Sequence, residues 1–356
     1  MDRCNPRDRV LDALSGETPE IPPVAIFTQS STLSQMEDTG SPWPLAHSDP
    51  AMMAALGSAQ HRLFGFDSVR VPFCVTVEAG ALGCDVSMGG RSSPPSVIPG
   101  RYSLDPLNGK IDDPSCIPQV DEFLSDPRVG CVSDSIRLLS SHLDDVPVIA
   151  GVTGPLTTLT QMVGAEGMVL GSIMCPEIVR SWSSEITVRL KAYIGLLEDS
   201  GANVILLGEA SGSPDLIEPS MMMRLTGDFL KGMSVGHSKR VLHMCGDVNP
   251  VLNELSMLGF SGLSLEGAMD PFDTVAKIGE RVALVGNVGP VDPLLTGTPQ
   301  DVLDASKRSL EAGFDIIAPG CGVPIQTSDE NLRAILRVRH QSANSHRSIR
   351  VPWHSV

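Results

Sequence analysis

Residues 240–271 read RVLHMCGDVNPVLNELSMLGFSGLSLEGAMDP, and their reading decides the fold. Arg240–Met244 is short and apolar, and it ends on a Gly-Asp pair, as a buried strand does. Asn249-Pro250 follows, a capping residue before proline at the first helical position. Val251, Leu255 and Leu258 then recur at i, i+4 and i+7, which predicts a helix with one face laid on a sheet. Gly259 stops that helix, Gly262–Leu265 forms the next strand, and Asp270-Pro271 opens the next helix. Strand, helix and strand in so short a span is the unit of a parallel α/β protein.

Working outward, the same alternation runs from residue 20 to residue 340. Further candidate strands are Pro23–Phe27, Ser68–Pro72, Val146–Gly151, Asn203–Leu207, Val282–Val285 and Asp315–Ala318. With Arg240–Met244 and Gly262–Leu265 these make eight, the number that closes a (β/α)₈ TIM barrel. Thr298-Pro299 opens one late helix and Gly313 ends it. Thr327 is expected to cap the last helix in a capping box with Glu330. The alternation breaks once: Phe73 to Asp145 far exceeds a normal crossover and is expected to carry extra loops over the barrel mouth. Before its end, Val129, Val132, Ile136 and Leu139 mark one helical face. Residues 1–340 therefore read as one barrel domain with an insertion near 73–145. The tail, QSANSHRSIRVPWHSV at 341–356, has no period and is expected to be poorly ordered.

Composition narrows the function. Lys and Arg number 26 against 42 Asp and Glu, a net charge of −16 that disfavours nucleic acid and anionic membrane surfaces. No apolar run reaches the roughly 20 residues of a membrane span. MDRCNPRDRVLDALSG at the start reads as an amphipathic helix rather than a signal peptide, so a cytoplasmic protein is expected. Eight scattered cysteines do not form a disulfide scaffold. Cys74, Cys84, Cys131 and Cys175 lie in apolar surroundings and read as core residues.

The chemistry gathers at strand ends. Side chains on a strand alternate, so His243 and Cys245 share a face while Met244 takes the other. Both stand at the carboxyl end, the active-site end of a barrel. Cys321, in DIIAPGCG, lies just past the last strand on the same rim. One His and two Cys around one cavity are a zinc set with an open fourth position. An isolated His-x-Cys is more often a core pair, but Gly246, Gly320 and Gly322 beside the thiols favour the site. Glu266 is a candidate fourth ligand or a solvated rim carboxylate. Glu209, Asn287 and Gln29 also face the mouth and are candidates for positioning substrate. Asp247 can orient His243 or cap the following helix. His47, His61, His142, His237, His340, His346 and His354 lack ligand-like neighbours and read as surface or structural.

The stretches LHMCGDVNPVLNELSMLGFSGLSLEGAMDP, ALVGNVGPVDPLLTGTPQDV and AGFDIIAPGCGVPIQTSDENLRAI closely resemble the methylcobamide:coenzyme M methyltransferases, members of the uroporphyrinogen decarboxylase superfamily. RVLDALSGETPEIPPVAIFTQSSTLSQM, WPLAHSDPAMMAALGSAQH and VRVPFCVTVEAGALGC extend the resemblance over nearly the whole chain. It implies a barrel of that superfamily's type and zinc on His243, Cys245 and Cys321. It also implies a methylated corrinoid protein as partner and methyl donor, and coenzyme M as thiol acceptor, in methanogenesis from methylated compounds. Glu266 falls where the family has an acidic residue. The Arg-Gln-Ala-Gly-Arg-Tyr stretch of true uroporphyrinogen decarboxylases is absent, and a porphyrin lyase has no use for a His-Cys-Cys set. A corrinoid-dependent methyltransferase with another acceptor, such a lyase, and a non-catalytic corrinoid-binding protein are the alternatives.

Overall fold

The computed structural model describes residues 5–213 and 216–339. The 341–356 tail and His340 lie outside these residues. Seven parallel strands form one curled sheet in chain order: β1 (Val69–Val71), β2 (Val148–Thr153), β3 (Val204–Gly208), β4 (Lys239–Met244), β5 (Gly262–Leu265), β6 (Ala283–Val288) and β7 (Ile316–Pro319). Helices follow the strands, as the alternation required.

The first expected strand, Pro23–Phe27, is a correction in kind. It lies between β7 and β1 and closes the barrel, but it makes a single bridge, Val24 to Ile317, instead of a ladder. On the β7 side, Ala25 N donates to Ile317 O at 3.0 Å and Ile317 N to Pro23 O at 3.0 Å. On the β1 side one backbone bond remains, Asp67 N to Val24 O at 2.8 Å, and side chains supply the others. Val24 N donates to the Asp67 carboxylate at 2.9 Å and Ile26 N to Ser68 Oγ at 2.9 Å. The Gln60 amide meanwhile donates to Ser68 Oγ and Ser68 O. Asp67 in turn is gripped by Arg9 at 2.5 Å and Arg339 at 2.6 Å. One buried carboxylate thus ties the first helix, the seam and the residues after the last helix together.

The barrel interior is filled from below. Val10, Ala13 and Leu14, at the end of helix Pro6–Ala13, plug the amino-terminal end against Ala25, Phe27, Ile149, Val204, Leu206, Val241, Ala283, Val285, Ile316 and Ala318. These inward residues alternate with outward ones that pack under the helices, such as Leu242, Met244, Leu263 and Leu284.

Helix starts at Asp270 and Thr298 are capped as expected, the latter by a capping box with Asp301, and Gly313 ends that helix in the left-handed region. Two starts differ. Asn249–Val251 is a short 3-10 turn before helix Leu252–Ser256, and it is Asp247 whose carboxylate accepts from Asn249 N. The last helix, Asp329–Leu336, is capped by Ser328 on Asn331 N, so the Thr327–Glu330 box does not form. Both Thr327 and Ser328 can cap, and the buried position of Thr327 leaves its neighbour to do it.

The long segment after β1 contains helix Val77–Ala81, two-residue pairings Val86–Ser87 with Ser96–Val97 and Leu104–Asp105 with Lys110–Ile111, and then helix Pro127–His142. Val129, Val132, Ile136 and Leu139 are buried on that last helix. The segment packs on carboxyl-end elements. Glu78 accepts from Thr153 at the end of β2, Arg91 pairs with Glu37, and Leu104 lies against Gly167 and Gly171. Cys74, Cys84 and Cys131 are buried as expected; Cys175 is half-buried at the edge of the core. No helix among the described residues is long and apolar enough to cross a membrane.

Candidate active site

β4 carries Val241 and His243 inward and Met244 outward, so the side-chain period sets the first ligand in the barrel interior. Cys245 follows at the strand's carboxyl end, and Cys321 stands two residues past β7. One ligand atom from each of His243, Cys245 and Cys321 lies within 4.8 Å of the others. Cys245 Sγ is 3.4 Å from His243 Nε2 and 3.7 Å from Cys321 Sγ, and the cysteines are free. A tetrahedral zinc, with Zn–S of about 2.3 Å and Zn–N of about 2.0 Å, sets two sulfurs about 3.8 Å apart and nitrogen and sulfur about 3.5 Å apart. The residues present therefore fit the metal by distance as well as by chemistry. The contact with Cys245 and then His243 hold the Cys321 thiol well below its ordinary range, at about 4. The same contact, together with burial, pushes Cys245 up.

The frame around these atoms includes Ser264 and Thr28, which the sequence pattern did not single out. His243 Nδ1 meets Ser264 Oγ at 3.1 Å and Ser264 O at 3.2 Å, which turns Nε2 to the sulfurs. Ser264 is paired with His243 across the β4–β5 ladder. Its one signal in the sequence is its place two residues before Glu266 in GLSLEG, on the same face. Thr28 Oγ1 donates to the Cys321 carbonyl at 2.6 Å, and Val323 N donates to Gln29 O at 2.7 Å. Gly320 has backbone where a side chain would go: a Cβ there would stand 2.9 Å from Gly267 N and 3.0 Å from Glu266 Cα. Only glycine lets the Cys321 loop approach the Glu266 loop so closely.

The other candidates take up distinct places. Glu266 accepts from Gly246 N at 2.6 Å, fixing the turn just after Cys245. Glu209 is fully buried. Its carboxylate accepts from Leu156 N, Thr157 N and Thr157 Oγ1, and its own amide donates to the His243 carbonyl at 2.9 Å. Burial pushes this carboxyl up to about 7 against the pull of those hydrogen bonds. Asn287, also buried, donates to Met269 O at 2.7 Å and Glu266 O at 3.3 Å and accepts from Ser309 Oγ at 2.9 Å, so it braces the loop after β5. Gln29 is half-buried, its Oε1 beside Gly322. Asp247 is exposed and bonded to Asn249, leaving Ser264 as the group on the His243 ring. Of the remaining histidines, His47 is buried between Trp43 and Phe73, His61 Nδ1 meets Phe66 O, and His142 and His237 are exposed. His346 and His354 fall outside the described residues.

Fold and site together define a parallel barrel with a His-Cys-Cys group at the carboxyl end of its strands that could hold a metal ion. Residues 5–342 match the uroporphyrinogen decarboxylase family. The methylcobamide:CoM methyltransferase MtaA of Methanosarcina barkeri is 32% identical over 338 residues, 94% of this chain and 97% of the relative. MtbA of Methanosarcina acetivorans, also a methylcobamide:CoM methyltransferase, is 30% identical over 94% of this chain and 98% of its own. A solved methyltransferase from Methanosarcina mazei superposes with a TM-score of 0.88 at 33% identity, covering 95% of this chain and 99% of that one. The chain belongs to the methylcobamide:coenzyme M methyltransferase family of the uroporphyrinogen decarboxylase superfamily.

Proposed function

We propose that this protein transfers a methyl group from a methylated corrinoid protein to the thiol of coenzyme M, with zinc on His243, Cys245 and Cys321, in methanogenesis from methylated compounds. The observation that carries the reading is the ligand triangle, with spacings of 3.4 and 3.7 Å that suit one tetrahedral ion. The relatives' names supply the methyl donor and acceptor.

Zinc bound there supplies Lewis acidity that lowers the pKa of a thiol in its open position. Cys245 and Cys321, as thiolates beside a neutral His243, cancel the metal's two positive charges, so the acceptor sulfur keeps its electron density. Ser264 fixes the His243 ring, Glu266 fixes the turn after Cys245, and Thr28 fixes the carbonyl of Cys321. The acceptor thiolate forms the new S–CH₃ bond as the Co–C bond breaks, and the bonding pair stays on cobalt, which passes from Co(III) to Co(I). The thiol proton leaves to solvent when the thiol binds.

The test combines metal analysis with the absorbance change of methylcobalamin on adding coenzyme M. About one zinc per chain and formation of Co(I) are expected, with both lost in Cys245→Ala and Cys321→Ala. Near-stoichiometric zinc in both variants overturns the ligand assignment. Zinc-loaded protein that leaves methylcobalamin unchanged overturns the activity.

A further inference from the structure

Cys245 Sγ and Cys321 Sγ stand 3.7 Å apart, and both are free thiols. A disulfide needs about 2.05 Å, so the sulfurs must approach by about 1.7 Å, shared between two side chains. The backbone beside them is held. Thr28 Oγ1 donates to the Cys321 carbonyl at 2.6 Å, a Cβ on Gly320 would meet Gly267 N at 2.9 Å, and the Glu266 carboxylate accepts from Gly246 N at 2.6 Å. The approach therefore falls to rotation about the two Cα–Cβ bonds, which leaves these backbone contacts in place. In the sheet β4 and β7 are three places apart, so a bond between the thiols would join two separate walls of the barrel.

The pair is also within reach of a dissolved oxidant. Cys245 and Cys321 are half-buried, whereas Cys74, Cys84 and Cys131 are buried. The same two sulfurs serve two exclusive states. As thiolates they can hold a metal; once joined, neither carries the charge that a zinc ligand needs, and His243 alone is too few.

We propose that this pair is a redox switch: an oxidant of the peroxide class joins Cys245 to Cys321 in a disulfide that excludes the metal, and a dithiol reductant reopens it. One sulfur attacks hydrogen peroxide and becomes a sulfenic acid as the O–O bond breaks, and the first water leaves. The second sulfur displaces the sulfenic oxygen, the S–S bond forms, and a second water leaves. Two thiols thus give up two electrons and two protons, and one peroxide becomes two waters. Reduction runs back through a mixed disulfide with the dithiol, which ends as a disulfide itself. Sulfurs bound to zinc are held about 3.8 Å apart with their lone pairs engaged, so a filled site resists the step. That protection rests on the function proposed above; the disulfide stands on the sulfur pair alone.

The test treats protein stripped of metal with hydrogen peroxide and follows it by intact mass and peptide mapping. The expected product has lost two hydrogens, contains a peptide linked through Cys245 and Cys321, and takes up no zinc from a chromogenic chelator. Dithiothreitol should restore both thiols and zinc binding in full. Cys116→Ser and Cys175→Ser, which remove an exposed and a half-buried thiol, should give the same link. Cys245→Ser should give none and leave Cys321 as a sulfenic acid that dimedone traps. Stripped wild type that keeps both thiols, carries them to sulfinic acids without the link, or joins either to another cysteine overturns the switch. Linking at the same rate with and without zinc overturns the protection. If the reduced wild type binds no zinc, the ligand assignment fails, and the linked peptide in that same protein still decides the disulfide.

Discussion

Ser264→Ala tests how the metal site is held, because it removes one of the two groups on His243 Nδ1 and touches no ligand atom. In the native arrangement Nδ1–H has two acceptors, Oγ at 3.1 Å and the carbonyl at 3.2 Å of the same residue. The alanine variant keeps the carbonyl, so the ring keeps a partner and loses a second restraint on its rotation. Outer-shell partners of a ligating histidine are worth about 10- to 100-fold in metal affinity. With one acceptor left, the lower end applies: about tenfold weaker zinc binding, or about 1.4 kcal/mol. Loss of the hydroxyl from a fully buried position should cost the apo protein only about 1 kcal/mol, since no donor is orphaned. Competition for zinc against a chromogenic chelator reads the first number and urea unfolding of stripped protein reads the second. Zinc affinity within a factor of about two of wild type would refute the claim that Ser264 orients His243, since even the lower end of the outer-shell range is fivefold larger.

His47 provides an acid-sensitivity test. Burial first, and the nearby charge of Arg128 second, lower its pKa from 6.5 to about 3. The stability it contributes is complete above pH 6.5 and declines as pH falls toward 3, by about 3 kcal/mol at pH 4.5. His47→Gln should flatten the stability curve over that window; parallel curves for variant and wild type would exclude His47 as the source. Asp67→Ala should lose about 3–5 kcal/mol in urea unfolding, because it leaves the Arg9 and Arg339 guanidiniums without their shared carboxylate. A loss under about 1 kcal/mol would mean the ion triad adds little to the closure of the barrel.

The parts of this molecule that were legible in the sequence are those governed by local periodicity. Two-residue alternation placed His243 and Cys245 on one face, and proline-led helix starts such as Asp270 located the crossovers. Strand bounds moved by only a few residues, as at β6, where Val282–Val285 became Ala283–Val288. What stayed hidden depends on side chains meeting distant backbone. Glu209 bonds amides more than 50 residues away, Thr28 reaches Cys321 across almost the whole chain, and Asn287 braces the loop at Met269. A rim carboxylate that positions substrate and one that pins a helix end look alike in sequence. The first strand misled for the same reason: PPVAIF has the composition of a strand, but on the β1 side the Asp67 and Ser68 side chains supply bonds that a ladder would take from backbone, leaving one backbone bond, Asp67 N to Val24 O. The last helix shows the limit at small scale, since adjacent Thr327 and Ser328 offer equal caps and packing chose between them.

The seam has a thermodynamic consequence. The residues that close the barrel between β7 and β1 run directly into those that hold the third ligand: Ala25 bonds Ile317, and Thr28 and Gln29 bond the backbone of Cys321 and Val323. An ion that requires Cys321 beside Cys245 therefore binds only while this end of the seam is shut, and by linkage its binding holds the seam shut. Chelation should then speed amide exchange at Ala25, Ile317 and Val323 while leaving β2 and β3, on the far wall, at their own pace. With zinc on the proposed ligands, closure of the barrel and filling of the site form a single equilibrium, and each can be read by measuring the other.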